Sequence, residues 1–395
     1  MAERMLGSNR MSAARRIVGL AMLAFLAACS TVVPRPDAPK APPPRATDQS
    51  GVIPGLPQDN ERHRVALLVP MSGTNAGVGK SIANATTLAM LDTKTEKVRI
   101  TSYDTAAGAA GAAQRAIRDG NRLILGPLTA EEVRAVAPVA KAAGVPVISF
   151  SNDVSVAGNG VFLLGYSPTQ SVERVVRFAR GKGLSKFAAL VPRGVYGERA
   201  GGAFLREVQA SGGTLVSMET FDRAPGSVAA AIKKLGASSS YDALLIADVG
   251  RIAVQAAPLV RANGGGTARL LGTELWNTET SLGATPALRG AWFASVSNGL
   301  YRTLSGKYRT SYGSAPYRLA SLGYDSVLLT VRVAQDWKVG TPFPTARLTE
   351  SDGFAGIDGA FRFGRDGIAE RALEVQEVTA AGTSVVDAAP RGFTK

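Results

Sequence analysis

Few side chains in this chain could do covalent chemistry, and their spacing argues against most of it. There is one thiol, Cys29, and one imidazole, His63. A Ser-His-acid triad would have to use that histidine, which sits at the edge of a proline-rich stretch. No Gly-x-Ser-x-Gly elbow and no Ser-x-x-Lys pair occurs. Gly79-Lys80-Ser81 would suit a phosphate loop, but the glycine needed five residues earlier is Thr74, with Gly73 one step out of register. Asp104, Asp248 and Asp325 could pair across a cleft, although acids at strand ends are common in α/β folds. No spacing of metal ligands is present. The expectation is a protein that is not an enzyme and needs no cofactor or metal.

Cys29 has its own setting. Arg15 and Arg16 precede an apolar run of 12 residues, Ile17 to Ala28, which ends in small side chains. A membrane-spanning helix needs about 20 apolar residues, so the run reads as a removed secretory signal over 1–28. Leu26-Ala27-Ala28-Cys29 also resembles a bacterial lipobox. That resemblance implies cleavage before Cys29 and lipidation of its thiol. It places the chain on the periplasmic side of the outer membrane, since Ser30 stands where the inner-membrane retention signal carries Asp. Several acyl chains anchor stably where one does not. With the only thiol lipidated, no disulfide remains.

Residues 29–62 hold Pro34, Pro36, Pro39, Pro42, Pro43, Pro44, Pro54 and Pro57 and almost no large apolar side chains. Such a segment is read as an extended tether, reaching up to about 100 Å at ~3.1 Å per residue. The full chain carries +14. Its signal, with Glu3 against Arg4, Arg10, Arg15 and Arg16, accounts for +3 and leaves +11 on the mature protein. That charge favours anionic partners in general. Scattered Lys and Arg without interleaved aromatics do not point to nucleic acid.

From His63 onward about 330 residues alternate short apolar runs with helical stretches. Strands are expected at 65–69, 98–103, 123–125 and 145–149, with helices at 77–91 and 106–119. Another helix opens at the capping box Thr129-Ala130-Glu131-Glu132, is kinked by Pro138 and ends at Gly144. The rhythm restarts with strands at 187–191, 214–221, 243–247 and 270–271 and helices at 198–210, 228–235 and 252–262. Strand–helix–strand units at this spacing predict parallel sheets, and two successive series predict two similar lobes with a cleft between them.

The blocks Val65-Ala66-Leu67-Leu68-Val69-Pro70-Met71-Ser72-Gly73, Tyr103-Asp104-Thr105, Leu125-Gly126-Pro127-Leu128, Gly194-Val195-Tyr196-Gly197, Leu271-Gly272-Thr273-Glu274-Leu275-Trp276 and Gly323-Tyr324-Asp325-Ser326 together resemble the type I periplasmic solute-binding proteins. The likeness covers nearly all of 63–380. It implies an α/β, two-lobed flytrap, each lobe a parallel sheet flanked by helices. The chain would cross between lobes near 165–168, 294–299 and 345–356. Lobe 1 would comprise 63–167 and 297–346, lobe 2 168–296 and 347–385, and a tail 386–395. Within this group the chain most resembles the lipoproteins that activate penicillin-binding proteins. It lacks the N-terminal helical-repeat domain of their best-known members. Branched-chain amino acid receptors of ABC transporters are the other near likeness.

Ligands in such folds meet the carboxyl ends of parallel strands. Ser72 and Thr74 follow the first strand, Thr129 opens a helix, and Ser149 to Asp153 form a second such loop. By resemblance to amino acid receptors, Thr129, Ser151 and Asp153 match positions that hold the α-amino and carboxylate groups. Glu274 matches the acid that pairs with the ammonium, and Tyr196 and Trp276 would wall the cleft. Asp153 departs from the small hydroxyl residue expected there and would disfavour an ordinary amino acid. Two readings follow. One is a lipid-anchored adaptor that contacts a bifunctional penicillin-binding protein. The other is a receptor that delivers an amino-acid-like solute to an ABC permease.

Overall fold

The computed structural model describes residues 61–237 and 240–393. Cys29 and its signal, and all of the tether before Glu61, lie outside the described residues. No helix among the described residues is long and apolar enough to cross a membrane.

The first sheet is built from β1 (His63–Val69), β2 (Val98–Asp104), β3 (Leu123–Leu125), β4 (Val147–Ser149) and β5 (Val161–Leu163), in the spatial order β2-β1-β3-β4-β5. All its pairings are parallel. The run His-Arg-Val-Ala-Leu-Leu-Val of β1 is apolar on both faces because both are covered. Val65, Leu67 and Val69 meet α1 (Ala76–Thr93) and α9 (Ala320–Val333). Ala66 and Leu68 meet α2 (Ala109–Arg118) and α3 (Ala130–Ala142). The period of two along the strand therefore sorts its side chains into two separate cores.

The second series repeats the plan. After α4 (Pro168–Gly181) come β6 (Lys186–Pro192), α5 (Val195–Ala210), β7 (Thr214–Phe221), α6 (Ser227–Gly236), β8 (Ala243–Ile246), α7 (Gly250–Ala262), β9 (Arg269–Gly272) and β10 (Trp292–Ser295). These strands lie in the order β7-β6-β8-β9-β10, all parallel. Strand for strand, this is the arrangement of the first sheet. Phe187, Ala189 and Val191 face α4 and α5, and Ala188 and Leu190 face α6 and α7.

The chain then returns to the first sheet through α8 (Gly299–Tyr312), which stops at Gly313 in the left-handed conformation, and through α9. A small antiparallel sheet follows, with β11 (Phe354–Gly356), β12 (Gly359–Phe363) and β13 (Ala369–Arg371). Finally β14 (Glu374–Thr379) and β15 (Gly382–Asp387) extend the second sheet antiparallel to β10.

The last passage between lobes is where the structure departs from the expected layout. Residues 347–371 do not join lobe 2. Phe354, Phe361, Phe363 and Ala369 are buried in the same core as Val65 and Leu67. The third crossing therefore lies between Arg371 and Glu374, not at 345–356. There β11 and β12 form a hairpin whose phenylalanines are buried. The second sheet likewise runs on to Asp387, which pairs with Arg174 at 2.7 Å, so the expected tail at 386 begins inside a strand.

His63, expected at a linker edge, is the first residue of β1 and is buried. Its ring stacks on Trp337 at 3.9 Å and its Nε2 lies 3.0 Å from the Trp337 carbonyl. Burial pushes its pKa down, and the buried ring packs on Trp337.

Asp325 of α9 is fully buried, and its Oδ1 accepts from the Ile357 amide at 2.6 Å. Burial, and then the neighbouring Asp358 carboxylate, push its pKa up to about 7. A carboxyl raised in the folded state costs no stability below the unfolded value of about 4. The cost grows as pH rises through the folded value. Asp325→Asn should thus be more stable than wild type at pH 8, with the gap closing towards pH 4, as read by denaturant unfolding at both pH values.

Candidate functional site

The carboxyl ends of the two sheets face a common cavity of about 310 Å³. Leu128, Phe150 and Asn152 reach it from the loops after β3 and β4. Val249, Glu274, Leu275, Asn277 and Thr278 reach it from the loops after β8 and β9. Tyr166 and Val296, in two of the segments that cross between lobes, and Arg318 and Leu319, just before α9, complete the wall. Both sheets thus offer strand carboxyl ends, with β3 and β8 each beside its sheet's switch point, the usual place for a ligand in parallel α/β folds.

The hydroxyl groups expected to hold a ligand are bound within the protein. Thr129 caps α3: its Oγ1 accepts from the Glu132 amide at 3.3 Å, and Glu132 Oε2 accepts from the Thr129 amide at 2.9 Å. A cap of this kind contributes about 1 kcal/mol. Buried Ser149 donates to the Pro127 carbonyl at 2.9 Å and accepts from the Ser151 amide at 3.0 Å. Ser151 Oγ in turn accepts from the Asp153 amide at 3.1 Å. Ser72 and Thr74 are exposed and do not line the cavity. Ser72 donates to Asp104 Oδ2 at 2.9 Å, and Asp104 also ties down the Met71 and Ala106 amides, which hold its carboxyl below the usual range.

Asp153 is committed to three partners. Its carboxylate accepts from Ser155, meets Arg134 of α3 at 3.1 Å and meets Arg199 of α5 at 2.5 Å. Burial alone would raise its pKa, but Ser155 and the two guanidinium groups outweigh it and hold the group ionised. The Arg199 bond runs from one lobe to the other, beside Asn152 of the cavity wall.

Glu274 lies at the opposite wall. Its carboxylate accepts from Ser171 Oγ and from Tyr196 OH, the latter at 3.1 Å. Burial raises its pKa, and no cation among the described residues pairs with it. Tyr196 also bonds Thr273 Oγ1 at 2.8 Å, and burial drives its phenol well above the ordinary value. It therefore orients Glu274 as a neutral donor.

Trp276, expected to wall the cleft, does not reach it. The ring is fully buried in the second lobe, tilted against Phe293 at 6.0 Å. A Cβ on Gly272 would stand 2.2 Å from the indole, so the glycine is what admits the ring. Leu275, its neighbour, lines the cavity instead.

The sequence reading missed Arg318. Its guanidinium lines the cavity, packs 4.1 Å from the Tyr301 ring and pairs with buried Asp358 at 2.6 Å. Tyr166 and Ser321 also donate to Asp358. Nothing in the run Tyr317-Arg318-Leu319 marks this arginine as inward-facing, because its partners lie at 166 and 358.

The other candidate motifs are structural. A Cβ on Gly79 would meet the Pro70 carbonyl at 1.8 Å, so Gly79 lets α1 press on the end of β1. Lys80 is exposed, and Ser81 Oγ accepts from the Tyr317 amide at 2.9 Å. Asp104, Asp248 and Asp325 share no partner. Among the described residues no group of three or more His, Cys, Asp or Glu could hold a metal ion.

Residues 63–383 match the periplasmic binding protein family. The chain belongs to that family. Its two-lobed fold is similar to that of a putative branched-chain amino acid ABC transporter protein from Rhodospirillum rubrum. The TM-score there is 0.72 at 20% identity, over 82% of this chain and all of the other. It is also similar to the leucine-binding protein LivK of Thermotoga maritima, with a TM-score of 0.60 at 20% identity over 83% and 98% of the chains. A solute-binding protein from R. palustris, solved with benzoate, gives 0.62 at 18% identity over 85% and 98%. An uncharacterised protein of Rickettsia prowazekii is 23% identical over 180 residues, which cover 45% of this chain and 48% of that relative. The match thus spans about half the length of that curated relative.

Proposed function

We propose that this periplasmic binding protein is a non-catalytic, lipid-anchored adaptor at the outer membrane that activates a bifunctional penicillin-binding protein. The observation that carries the reading is the state of Asp153. In the amino acid receptors this chain resembles, that position offers a small hydroxyl to the ligand. Here it is an ionised acid bound to Arg134 and Arg199, and the neighbouring serines are spent on the backbone. An ion pair, instead of a ligand, links the lobes at this point. The lipobox at Cys29 and the proline-rich tether supply the means to reach a synthase across the periplasm.

Deleting residues 34–57 tests this. The shortened protein should unfold at the wild-type temperature, because the tether precedes the folded lobes. It should lose its stimulation of peptidoglycan synthesis in cells. Full function with the short tether would contradict the adaptor.

One observation favours the second reading, an amino-acid receptor serving an ABC permease. Glu274 is buried at the cleft without a cation, as an ammonium-binding acid would be.

A further inference from the structure

Among the described residues, the side-chain hydrogen bonds and ion pairs that join the two lobes fall into two sets. One set lies at the crossings, as where Gln170 of α4 bonds the Ala369 carbonyl and the Arg371 amide. The other involves no crossing residue and is a single ion pair, Arg199 of α5 with Asp153.

Each partner is positioned by its own lobe. Asp153 Oδ1 accepts from the Ser155 amide at 3.0 Å and from its hydroxyl at 2.6 Å, and Oδ2 meets Arg134 at 3.1 Å. These bonds within lobe 1 fix the carboxylate before lobe 2 reaches it. Arg199 rides on α5, which presses on the end of β6: a Cβ on Gly197 would stand 1.7 Å from the Pro192 carbonyl. Among the described residues Arg199 has no acid partner in its own lobe. Opening the cleft would therefore leave Asp153 with Arg134, and Arg199 with solvent alone. One bond has to be remade when the lobes close, and its acceptor is already in place. The pair is partly withdrawn from water, with side-chain exposures of 23% for Arg199 and 14% for Asp153. Charges so placed attract more strongly than they do in bulk water.

We infer that Arg199 is a latch: its bond to Asp153 holds the lobes together without a solute bridging the cleft, and the closed form is the resting form of this protein. Two lobe positions differ by a small free energy, so one pair can decide between them. The latch is a property of the lobes themselves. It goes beyond the adaptor reading, which the tether deletion tests separately with a partner present.

The experiment measures the distance between lobes by pulsed electron resonance in the full-length protein carrying Cys29→Ser. Spin labels are placed through Thr74→Cys, after β1, and Ala224→Cys, after β7. Both positions are exposed and neither lines the cavity. After exhaustive dialysis, at about 20 mM NaCl, one short distance should dominate. Arg199→Ala should raise the ratio of long to short distances at least fivefold. A fivefold change is about 1 kcal/mol, the upper end for an exposed pair. Arg199→Lys, which keeps the charge, should fall between alanine and wild type. Raising NaCl to about 1 M should lengthen the distance in the protein with Arg199 intact, so the latch can be tested even if the variants misfold. A long distance dominating at low salt with Arg199 intact would overturn the inference. So would a short distance that survives Arg199→Ala in a folded variant, or that survives high salt where the variants do not fold.

Discussion

Asp358→Ala should cost the folded protein about 3–5 kcal/mol, the range for stripping one partner from a buried ion pair. Asp358 is fully buried and gathers Arg318 Nη2 at 2.6 Å, Ser321 Oγ at 2.7 Å and Tyr166 OH. Alanine would leave a guanidinium with an 11% exposed side chain and no counter-charge in contact. Two hydroxyl donors would lose their acceptor at the same time. Asp325 would offset part of the loss, since the Asp358 charge is one of the forces raising its pKa. It cannot replace Asp358, because Asp325 Oδ1 is held by the Ile357 amide. Thermal unfolding should show Tm falling by roughly 5–10 °C. Asp358→Asn, which keeps an acceptor but no charge, should fall between alanine and wild type. A change below about 1 kcal/mol for alanine would mean that this network does not hold the turn between β11 and β12 against α9 and Tyr166.

Trp276→Ala should also destabilise the protein, by about 3–5 kcal/mol, and should do so through the core of the second lobe. The indole is fully buried between Gly272 and Phe293. Its removal leaves a cavity that the surrounding core fills only in part. Trp276→Phe should be far milder. It keeps most of the apolar volume and removes the indole N–H, which is buried without an acceptor. The two variants separate packing from recognition. A cleft wall would show altered ligand binding with little change in Tm, whereas a core residue shows the reverse.

The sequence-level reading succeeded where the signal was local and failed where it was not. The strand at 65–69 and the capping box at Thr129 depend on residues a few positions apart, and both hold. The repeated order of the two sheets follows from the strand–helix rhythm. Trp276 was misjudged because a tryptophan next to a cleft loop looks the same whether it turns in or out. The small side chain at Gly272, four residues earlier, was the available sign that it turns into the core. The third crossing was misplaced because its position was carried over from the family resemblance and not read from the residues at 354–371. The alternation Phe361-x-Phe363 argued for a buried strand instead. Arg318 was illegible, since its meaning depends on Tyr166 and Asp358, which are distant in sequence. The commitment of Asp153 to Arg199 was illegible for the same reason: the two lie on different lobes.

The central claim is that this flytrap protein acts on a synthase and not through a permease. In-cell crosslinking of the tagged, lipidated protein, followed by identification of what co-purifies, tests it most directly. The adaptor account predicts recovery of a bifunctional penicillin-binding protein that is lost when residues 34–57 are deleted. Recovery of ABC permease subunits without a synthase would contradict it and make Glu274 the centre of a transport receptor.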